Sequence, residues 1–316
     1  MRNILCVTLI ALLGGCTSTS VTEKYQDKRN DIINVKDKVI EFETGNVLIG
    51  SVSRLYMSNK CLLIADHKSV DKQIHIFNKN DFSYLTSIGN FGEGPEEITV
   101  MGCLAIDEAH HQLYVSDHAK QKIFSYDMDS VMVDSLYKPQ VKTAMNETLF
   151  PSEYQYINDT LSIAVLIKPT STSTFNQFLG RWNMNTGEMI PMKYTHPDIQ
   201  KKRITFAASE KAGIYVECYT RHDLMTICSL DGELLYNIYG PDWDGGNGNK
   251  LQSFGTVMIG NDKIFVSYCG EDYARDSFPT KILVFDLEGN YLKTLETGYK
   301  ISDCCYDSVS YTHLRA

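Results

Sequence analysis

Short apolar runs rich in β-branched and aromatic residues alternate along this chain with polar turns. One such run recurs five times and always leads into an Asn, Asp or Gly turn of the kind that joins hairpin strands. Apolar spacing typical of helices is nearly absent, so the pattern predicts an all-β protein. The recurring segments are QIHIFNKND from Gln73, KIFSYDMDS from Lys122, LGRWNMNTGE from Leu179, LMTICSLDGE from Leu224 and ILVFDLEGN from Ile282.

Each run belongs to a longer unit of about fifty residues that contains four strands. Five units fit between Val47 and Glu296, and a sixth begins with KISDCCYD at Lys300 and does not finish. Four-stranded units of this period predict a six-bladed β-propeller with antiparallel blades over residues 35–308, whose last blade is truncated. The segment Val35–Gly45 is the expected closing strand of the ring.

The last residues of the chain, 309–316, break the repeat. After the start of the sixth unit, the pattern requires an apolar strand near position 313 and then two more strands. The octapeptide resembles translated adaptor read-through at the ends of metagenomic reading frames. This resemblance predicts that the tail is not native and that the natural protein continues through the remainder of one blade.

The N-terminus has the pattern of an export signal. Arg2 precedes the apolar run Ile4–Leu13, which at about ten residues is too short to span a bilayer. The run ends in Leu-Gly-Gly-Cys, which resembles the lipobox of bacterial lipoproteins and implies that residues 1–15 are a signal peptide and Cys16 carries lipid. A plain signal peptide with a chance cysteine is the alternative. The polar residues 16–34 are then expected to form a flexible tether.

A longer resemblance rests on residues 89–127, GNFGEGPEEITVMGCLAIDEAHHQLYVSDHAKQKIFSYD. This segment is similar to the blade junction of NHL and TolB-like propellers: a glycine-rich turn, an apolar strand ending in Asp, a YVSD strand and an I-x-x-(F/Y)-D strand. With the lipobox, the chain resembles the six-bladed TolB-like propeller lipoproteins of the Bacteroidetes. Its glycine spacing differs from theirs by one position. The resemblance implies the fold and a lipid anchor, and it implies no activity.

The composition restricts the partners and cofactors. The net charge of −9 argues against nucleic acid, because phosphate contacts need clustered lysines and arginines. No cysteine after Cys16 belongs to a C-x-x-C motif, and the histidines do not cluster with the cysteines. We therefore expect no metal site and no cofactor. Buried thiols are expected instead, with Cys304 and Cys305 on opposite faces of a strand.

One face of the propeller is the expected place for a ligand. With four antiparallel strands per blade, the links between blades and the links between second and third strands leave on the same face. These links are long and polar here, and binding residues usually lie on such loops. Candidate ligand-binding residues on this face are Asp66, His67, Glu96, Glu97, Asp117, His118, Arg221, Trp243, Asp272 and Arg275.

The glycine-rich segment 89–97 is the first link between blades. No helix follows it and its three glutamates would repel phosphate, so its glycines are expected to permit a turn and not to bind phosphate. Glu96 and Glu97 are expected to line the channel mouth as an alternative to a purely structural role.

Several of these candidates also have structural interpretations. Asp66-His67 and Asp117-His118 occupy equivalent positions in adjacent units, which suits a metal site. An Asp that ends a second strand can equally cap the following turn through backbone N–H groups. The arginines can pair with neighbouring carboxylates, and Trp243 can hold its own loop.

Two functions remain at this point. The favoured one is a lipid-anchored, extracytoplasmic, non-catalytic module that binds a protein, peptide or glycan. Membrane attachment would be through the lipid, and Thr17, by resemblance to enteric sorting rules, favours the outer membrane. The alternative is a metal-dependent hydrolase or lyase of the lactonase or NHL type, with an ion on the axis. The sequence has no Ser-His-Asp order or nucleophile elbow, so no catalytic residue is assigned.

Overall fold

The computed structural model describes residues 22–134, 136–171, 173–199, 202–245, 251–275, 277–307 and 312–315. Two short strands, β1 (Glu23–Tyr25) and β2 (Ile32–Asn34), come first. Blade 1 is β3 (Ser53–Met57), β4 (Cys61–Asp66), β5 (Lys72–Asn78) and β6 (Tyr84–Asn90), and blade 2 is β7 (Met101–Asp107), β8 (Gln112–Asp117), β9 (Lys122–Asp127) and β10 (Gln140–Ala144).

The other blades follow the same order. Blade 3 is β11 (Phe150–Asn158), β12 (Leu161–Pro169), β13 (Phe175–Trp182) and β14 (Met189–Pro191), and blade 4 is β15 (Ile204–Ser209), β16 (Ile214–Tyr219), β17 (Leu224–Ser229) and β18 (Leu234–Tyr239). Blade 5 is β19 (Leu251–Gly260), β20 (Lys263–Asp272), β21 (Lys281–Asp286) and β22 (Tyr291–Glu296), and a sixth sheet is β23 (Cys304–Asp307) and β24 (Thr312–Arg315).

The predicted all-β propeller is confirmed. Consecutive strands within each blade pair antiparallel, and five blades have four such strands while the sixth sheet has two in the described residues. β24 forms a strand near residue 313, where the repeat requires one, although the sequence predicts that residues 309–316 break the repeat. That expectation is wrong for the strand position, and the foreign origin of the tail stays a prediction. The first strands of successive blades 2 to 5 contact one another, and β23 contacts both β19 and β3, so the sixth sheet joins blade 5 to blade 1.

Helices are few and short in the described part of the chain. α1 (Met128–Val133) lies between β9 and β10, and the Asp127 side chain caps it by accepting a hydrogen bond from Ser130 N at 2.7 Å. The 3₁₀ segments are Lys36–Lys38 and Tyr273–Arg275. None of these helices has the length and apolar character required to cross a membrane.

The core lies between neighbouring blades. All six residues of β4 and of β16 are buried, since a blade in the ring packs against a neighbour on each side. The sequence of a strand that is buried on both faces is a nearly continuous apolar run, without alternation of apolar and polar residues. Leu63 and Ile76 of blade 1, for example, share a cluster with Leu113 and Phe124 of blade 2.

The sixth sheet is wedged between blades 5 and 1. Cys304 packs in a cluster with Met258 and Phe265 of blade 5, and Cys305 packs with Leu62 and others of blade 1. The expectation that the two cysteines point to opposite faces is therefore confirmed. All seven cysteines from Cys61 onward are free thiols.

Asp303, just before β23, connects the same two blades. Its carboxylate accepts a hydrogen bond from Leu55 N at 2.8 Å in blade 1 and one from Thr256 Oγ1 at 2.6 Å in blade 5. A buried ion pair between Lys79 and Asp307, with 2.8 Å between Nζ and Oδ1, adds a second link to blade 1. The two-stranded sheet thus closes the ring through polar contacts as well as apolar ones.

Two predictions about the N-terminal region are wrong for the described residues. Val35–Gly45 forms no strand; Lys36–Lys38 is 3₁₀, and Phe42 stacks on Phe82 of blade 1 at 4.3 Å between ring centroids. The predicted tether is not free from residue 22 onward, because β1 pairs parallel with β18 and β2 pairs parallel with β22. Backbone N–H and C=O groups make these edge pairs, so a sequence without apolar alternation can form them. Side chains add to the pairing of β1, since Tyr25 stacks on Tyr239 at 4.5 Å between ring centroids and Asn237 Nδ2 donates to Glu23 Oε1 at 3.1 Å. Residues 16–21 lie outside the described part.

Candidate functional site

The long links gather on one face as expected, and backbone contacts show it. Asp66, which ends β4, accepts a hydrogen bond from Gly50 N at 2.7 Å in the segment leading into blade 1. Asp117, which ends β8, accepts one from Thr99 N at 2.8 Å in the link from blade 1 to blade 2. Links after second strands therefore lie beside the links between blades. We call this side the long-loop face.

The glycine-rich segment on this face is a turn. Gly89 has φ of +73°, which an L side chain rarely adopts. Glu97 Oε2 accepts a hydrogen bond from Gly94 N at 2.8 Å, and Lys120 Nζ donates to Gly94 O at 2.6 Å. The Lys120 ammonium therefore binds a carbonyl oxygen of the turn, and the Glu97 carboxylate binds an N–H group of the same turn.

The two aspartates act as turn caps. Asp66 also accepts from Lys68 N at 2.9 Å, and Asp117 accepts from Ala119 N at 3.0 Å. Both residues are at most 2 % exposed, and their carboxylates are used by backbone N–H groups. The capping interpretation of the Asp-His pairs therefore describes both aspartates, which hold each link in place.

The two histidines that follow lie on either side of the start of β7. His67 Nδ1 is 3.2 Å from Met101 O. The His118 ring packs against Gly102, since a Cβ added to that glycine would lie only 2.4 Å from His118 Nε2. The Nε2 atoms of both rings are buried and have no hydrogen-bond partner in the described part of the chain. Burial lowers the pKa of both imidazoles, and nearby Arg54 lowers that of His67 further, so both rings are neutral at pH 7.

An ion pair that the sequence did not reveal spans the channel mouth. Arg54 Nη2 of β3 lies 2.7 Å from Glu153 Oε1 of β11. These are first strands of blades 1 and 3, so the pair reaches past blade 2. Their side chains are 45 % and 37 % exposed, which leaves donors and acceptor lone pairs available to a ligand. We call Arg54, Glu153, His67 and His118 the mouth cluster.

The remaining candidates on this face have internal partners or packing roles. Glu96 pairs with Lys138 at 2.7 Å, and Arg275 pairs with Glu271 at 3.3 Å. Asp272 accepts a hydrogen bond from Ala274 N at 2.9 Å. Arg221 lies half-buried in the turn between β16 and β17. These contacts do not bring the four residues together with the mouth cluster, and their ligand-binding role stays a prediction.

Trp243 holds its loop against blade 4. Its ring centroid lies 4.9 Å from that of Tyr239, 5.8 Å from that of His196 and 5.9 Å from that of His222. It belongs to the apolar cluster of blades 3 and 4 as a partly buried member. The packing interpretation of Trp243 therefore has direct support from these contacts.

One group of described side chains has ligand atoms close enough together to hold a metal ion: Asp107, His110 and Asp159. It lies in the tight turns of blades 2 and 3, away from the long-loop face. Asp107 already accepts hydrogen bonds from His110 Nδ1 at 2.8 Å and from Tyr114 OH at 3.3 Å. These contacts account for the group without an ion.

Comparison with known proteins supports the architecture. A family model described as a 6-bladed beta-propeller, DUF5128, matches residues 17–177, just over half of the chain. The match begins one residue after Cys16 and ends within blade 3. No curated protein matches the sequence.

The similar solved structures described next are distant in sequence. A putative exported protein from Bacteroides fragilis has a TM-score of 0.56 at 14% identity, covering 93% of this chain and 87% of that one. A member of the DUF4221 family from Bacteroides vulgatus has a TM-score of 0.54 at 12% identity, and the match covers 77% of this chain and 80% of that one. A gluconolactonase from Xanthomonas campestris has a TM-score of 0.50 at 13% identity, and the match covers 79% of this chain and 76% of that one. At such identities the likeness shows the fold alone.

Proposed function

The chain belongs to the DUF5128 family of 6-bladed β-propellers, and from that premise we propose that it is a non-catalytic, lipid-anchored binding module outside the cytoplasm. Its ligand is a protein, peptide or glycan, and the binding site is the mouth cluster on the long-loop face. We further propose that it belongs with the TolB-like propeller lipoproteins of the Bacteroidetes. The membrane is the outer one, as Thr17 suggests.

The observation that carries the binding proposal is the Arg54–Glu153 ion pair, 2.7 Å apart at the channel mouth. The guanidinium offers fixed donors and the carboxylate offers acceptors, and both stand on first strands, which are rigid parts of the scaffold. Amide and hydroxyl groups of peptides and glycans both donate and accept hydrogen bonds, so they suit such a pair. Among the described residues, the ligand atoms of Glu153, His67 and His118 do not lie close enough together to form a metal-binding group.

Replacing either member of the pair should weaken binding. We expect Arg54→Gln and Glu153→Gln to reduce binding to an array of immobilised glycans and peptides by at least ~10-fold, since each removes a charge-assisted hydrogen bond. Binding by the purified full chain is measured for each variant. Arg181→Gln is the matched control, because Arg181 pairs with Asp231 at the same 2.7 Å on the outer side of blade 3.

Equal binding profiles for Arg54→Gln and the unaltered protein would contradict the site. A stoichiometric divalent ion in the purified protein, lost on Glu153→Gln, would instead favour the metal-dependent hydrolase or lyase. The structural likeness to a gluconolactonase makes that ion analysis worthwhile, although the likeness concerns the fold.

The lipid anchor has its own test. The family match starts directly after Cys16, and a similar structure is described as an exported protein, and both observations support export and processing at that cysteine. We expect Cys16→Ser to abolish palmitate labelling and partition into detergent. Cys61→Ser is the control, since Cys61 is buried in blade 1. Labelling that persists in Cys16→Ser would refute the anchor without affecting the binding site.

A further inference from the structure

A small cavity lies on the long-loop face between blades 4 and 5, away from the mouth cluster. The N-terminal segment 22–34, which we call the strap, covers one side of it. Its volume is about 130 Å³. The lining residues are Arg29 and Ile32 of the strap, Pro241 and Asp242 of the link between blades, and Tyr268, Lys281, Leu283 and Thr294 of blade 5.

Arg29 brings a partly unsatisfied cation to this cavity. Its side chain is only 8% exposed; Nη1 pairs with Asp223 Oδ1 at 2.8 Å and Nε donates to Gln26 Oε1 at 3.0 Å. The third nitrogen, Nη2, is buried and has no hydrogen-bond partner in the described residues. Three aromatic rings lie 5.3 to 5.7 Å from the guanidinium, but ring faces attract a cation without accepting its hydrogen bonds in full.

Lys281 adds a second donor to the same cavity. Within the described ranges its ammonium has neither an ion pair nor a hydrogen bond, although it lines the cavity beside Leu283. An ammonium group and a guanidinium nitrogen with unmet donors both favour an anionic acceptor.

The carboxylates near the cavity disfavour an acceptor with more than one negative charge. Asp223 offsets Arg29, and Asp242, whose carboxylate accepts from Tyr268 OH at 3.3 Å, lines the cavity with Lys281, so the four charges sum to zero. A doubly charged phosphate would meet repulsion from both carboxylates. Ile32, Pro241 and Leu283 provide an apolar wall for a short aliphatic part.

We propose that this cavity binds a small organic carboxylate. The carboxylate oxygens accept hydrogen bonds from Arg29 and Lys281, and the aliphatic part packs on the apolar wall. Because Arg29 and Ile32 belong to the strap, a bound carboxylate also stabilises the docked strap by mass action. This site is separate from the mouth cluster and does not depend on the function proposed for it.

Butyrate binding to the full chain tests the proposal. We expect saturable binding of butyrate by calorimetry, with n-butylamine not binding and inorganic phosphate binding at least ~10-fold more weakly than butyrate. Lys281→Met should weaken butyrate binding by at least ~10-fold, because it removes one charged donor without touching the strap. Lys293→Met is the matched control, since Lys293 lies on the neighbouring strand β22 outside the cavity lining.

Arg29→Lys is a second variant that keeps the positive charge. It should also weaken butyrate binding, because lysine cannot contact both Asp223 and a ligand through a planar fork. The absence of saturable butyrate binding would overturn the proposal. So would equal affinity in Lys281→Met and Lys293→Met, or phosphate binding more tightly than butyrate.

Discussion

Asp303→Ala will lower the free energy of unfolding by about 2–4 kcal/mol, because the carboxylate makes two hydrogen bonds that tie the ring together. One comes from Leu55 N of blade 1 at 2.8 Å and the other from Thr256 Oγ1 of blade 5 at 2.6 Å. Alanine leaves both donors without this acceptor next to the buried Leu55. Urea unfolding of the full chain, followed by tryptophan fluorescence, measures the change.

Two variants separate ring closure from a general effect of removing an aspartate. Asp303→Asn keeps one acceptor oxygen and should cost less than alanine. Asp262→Ala removes an exposed carboxylate that pairs with Lys211 at 3.4 Å, and exposed pairs contribute at most about 1 kcal/mol. If Asp303→Ala costs no more than Asp262→Ala, Asp303 is not a closing contact of the ring.

The sequence predicts the blades because each blade repeats the same strand pattern. Strands such as Cys61–Asp66 are buried on both faces, and the resulting continuous apolar runs are visible without a structure. The start of the sixth sheet at Cys304–Asp307 was predicted from the same repeat. A repeat that sets both strand order and neighbour contacts carries most of the information about the fold.

The strap could not be predicted in the same way. Its strands have no apolar alternation, so the sequence of the segment is typical of a flexible linker. The structure agrees that there is little burial to detect, since all three residues of β2 are exposed. Backbone pairing at the outer edges of blades 4 and 5 holds it, together with the inserted Arg29 and side-chain contacts such as the stack of Tyr25 on Tyr239. A single Arg in a charged stretch gives no sign that it lies among aromatic rings.

The site was predicted in part. The Asp-His pairs were found from their equivalent positions, and the structure places both histidines beside the start of β7. Arg54 and Glu153 were missed, since the two residues lie 99 positions apart and come from blades 1 and 3. A charged residue within a first strand was the available signal, because first strands line the channel.

Arg29→Met will release the strap from blades 4 and 5. Methionine cannot pair with Asp223, whose side chain is completely buried, and removing one partner of a buried ion pair costs about 3–5 kcal/mol. Undocking the strap relieves that cost by exposing Asp223 to water. We therefore expect the cost to be seen as opening of the strap and only partly as a lower free energy of global unfolding.

Two amides of the blades report strap opening directly. Asn237 N donates to Thr22 O and Thr294 N donates to Asp31 O, each at 2.7 Å, so both lose protection when the strap leaves. We expect their hydrogen exchange to accelerate by about 100-fold in Arg29→Met, as expected for about 3 kcal/mol of lost pairing. The amide of Asp286, bonded to Asn290 O within a hairpin of blade 5, should keep its rate.

The buried charge itself is tested by a double variant. Arg29→Met/Asp223→Asn removes the charge that Arg29 neutralises, so strap protection should recover in part relative to Arg29→Met alone. Arg181→Met, which breaks an exposed pair with Asp231, should leave both reporter amides unchanged. Unchanged exchange at Asn237 and Thr294 in Arg29→Met would show that the pairing of β1 and β2 and the other strap contacts hold the strap without the arginine.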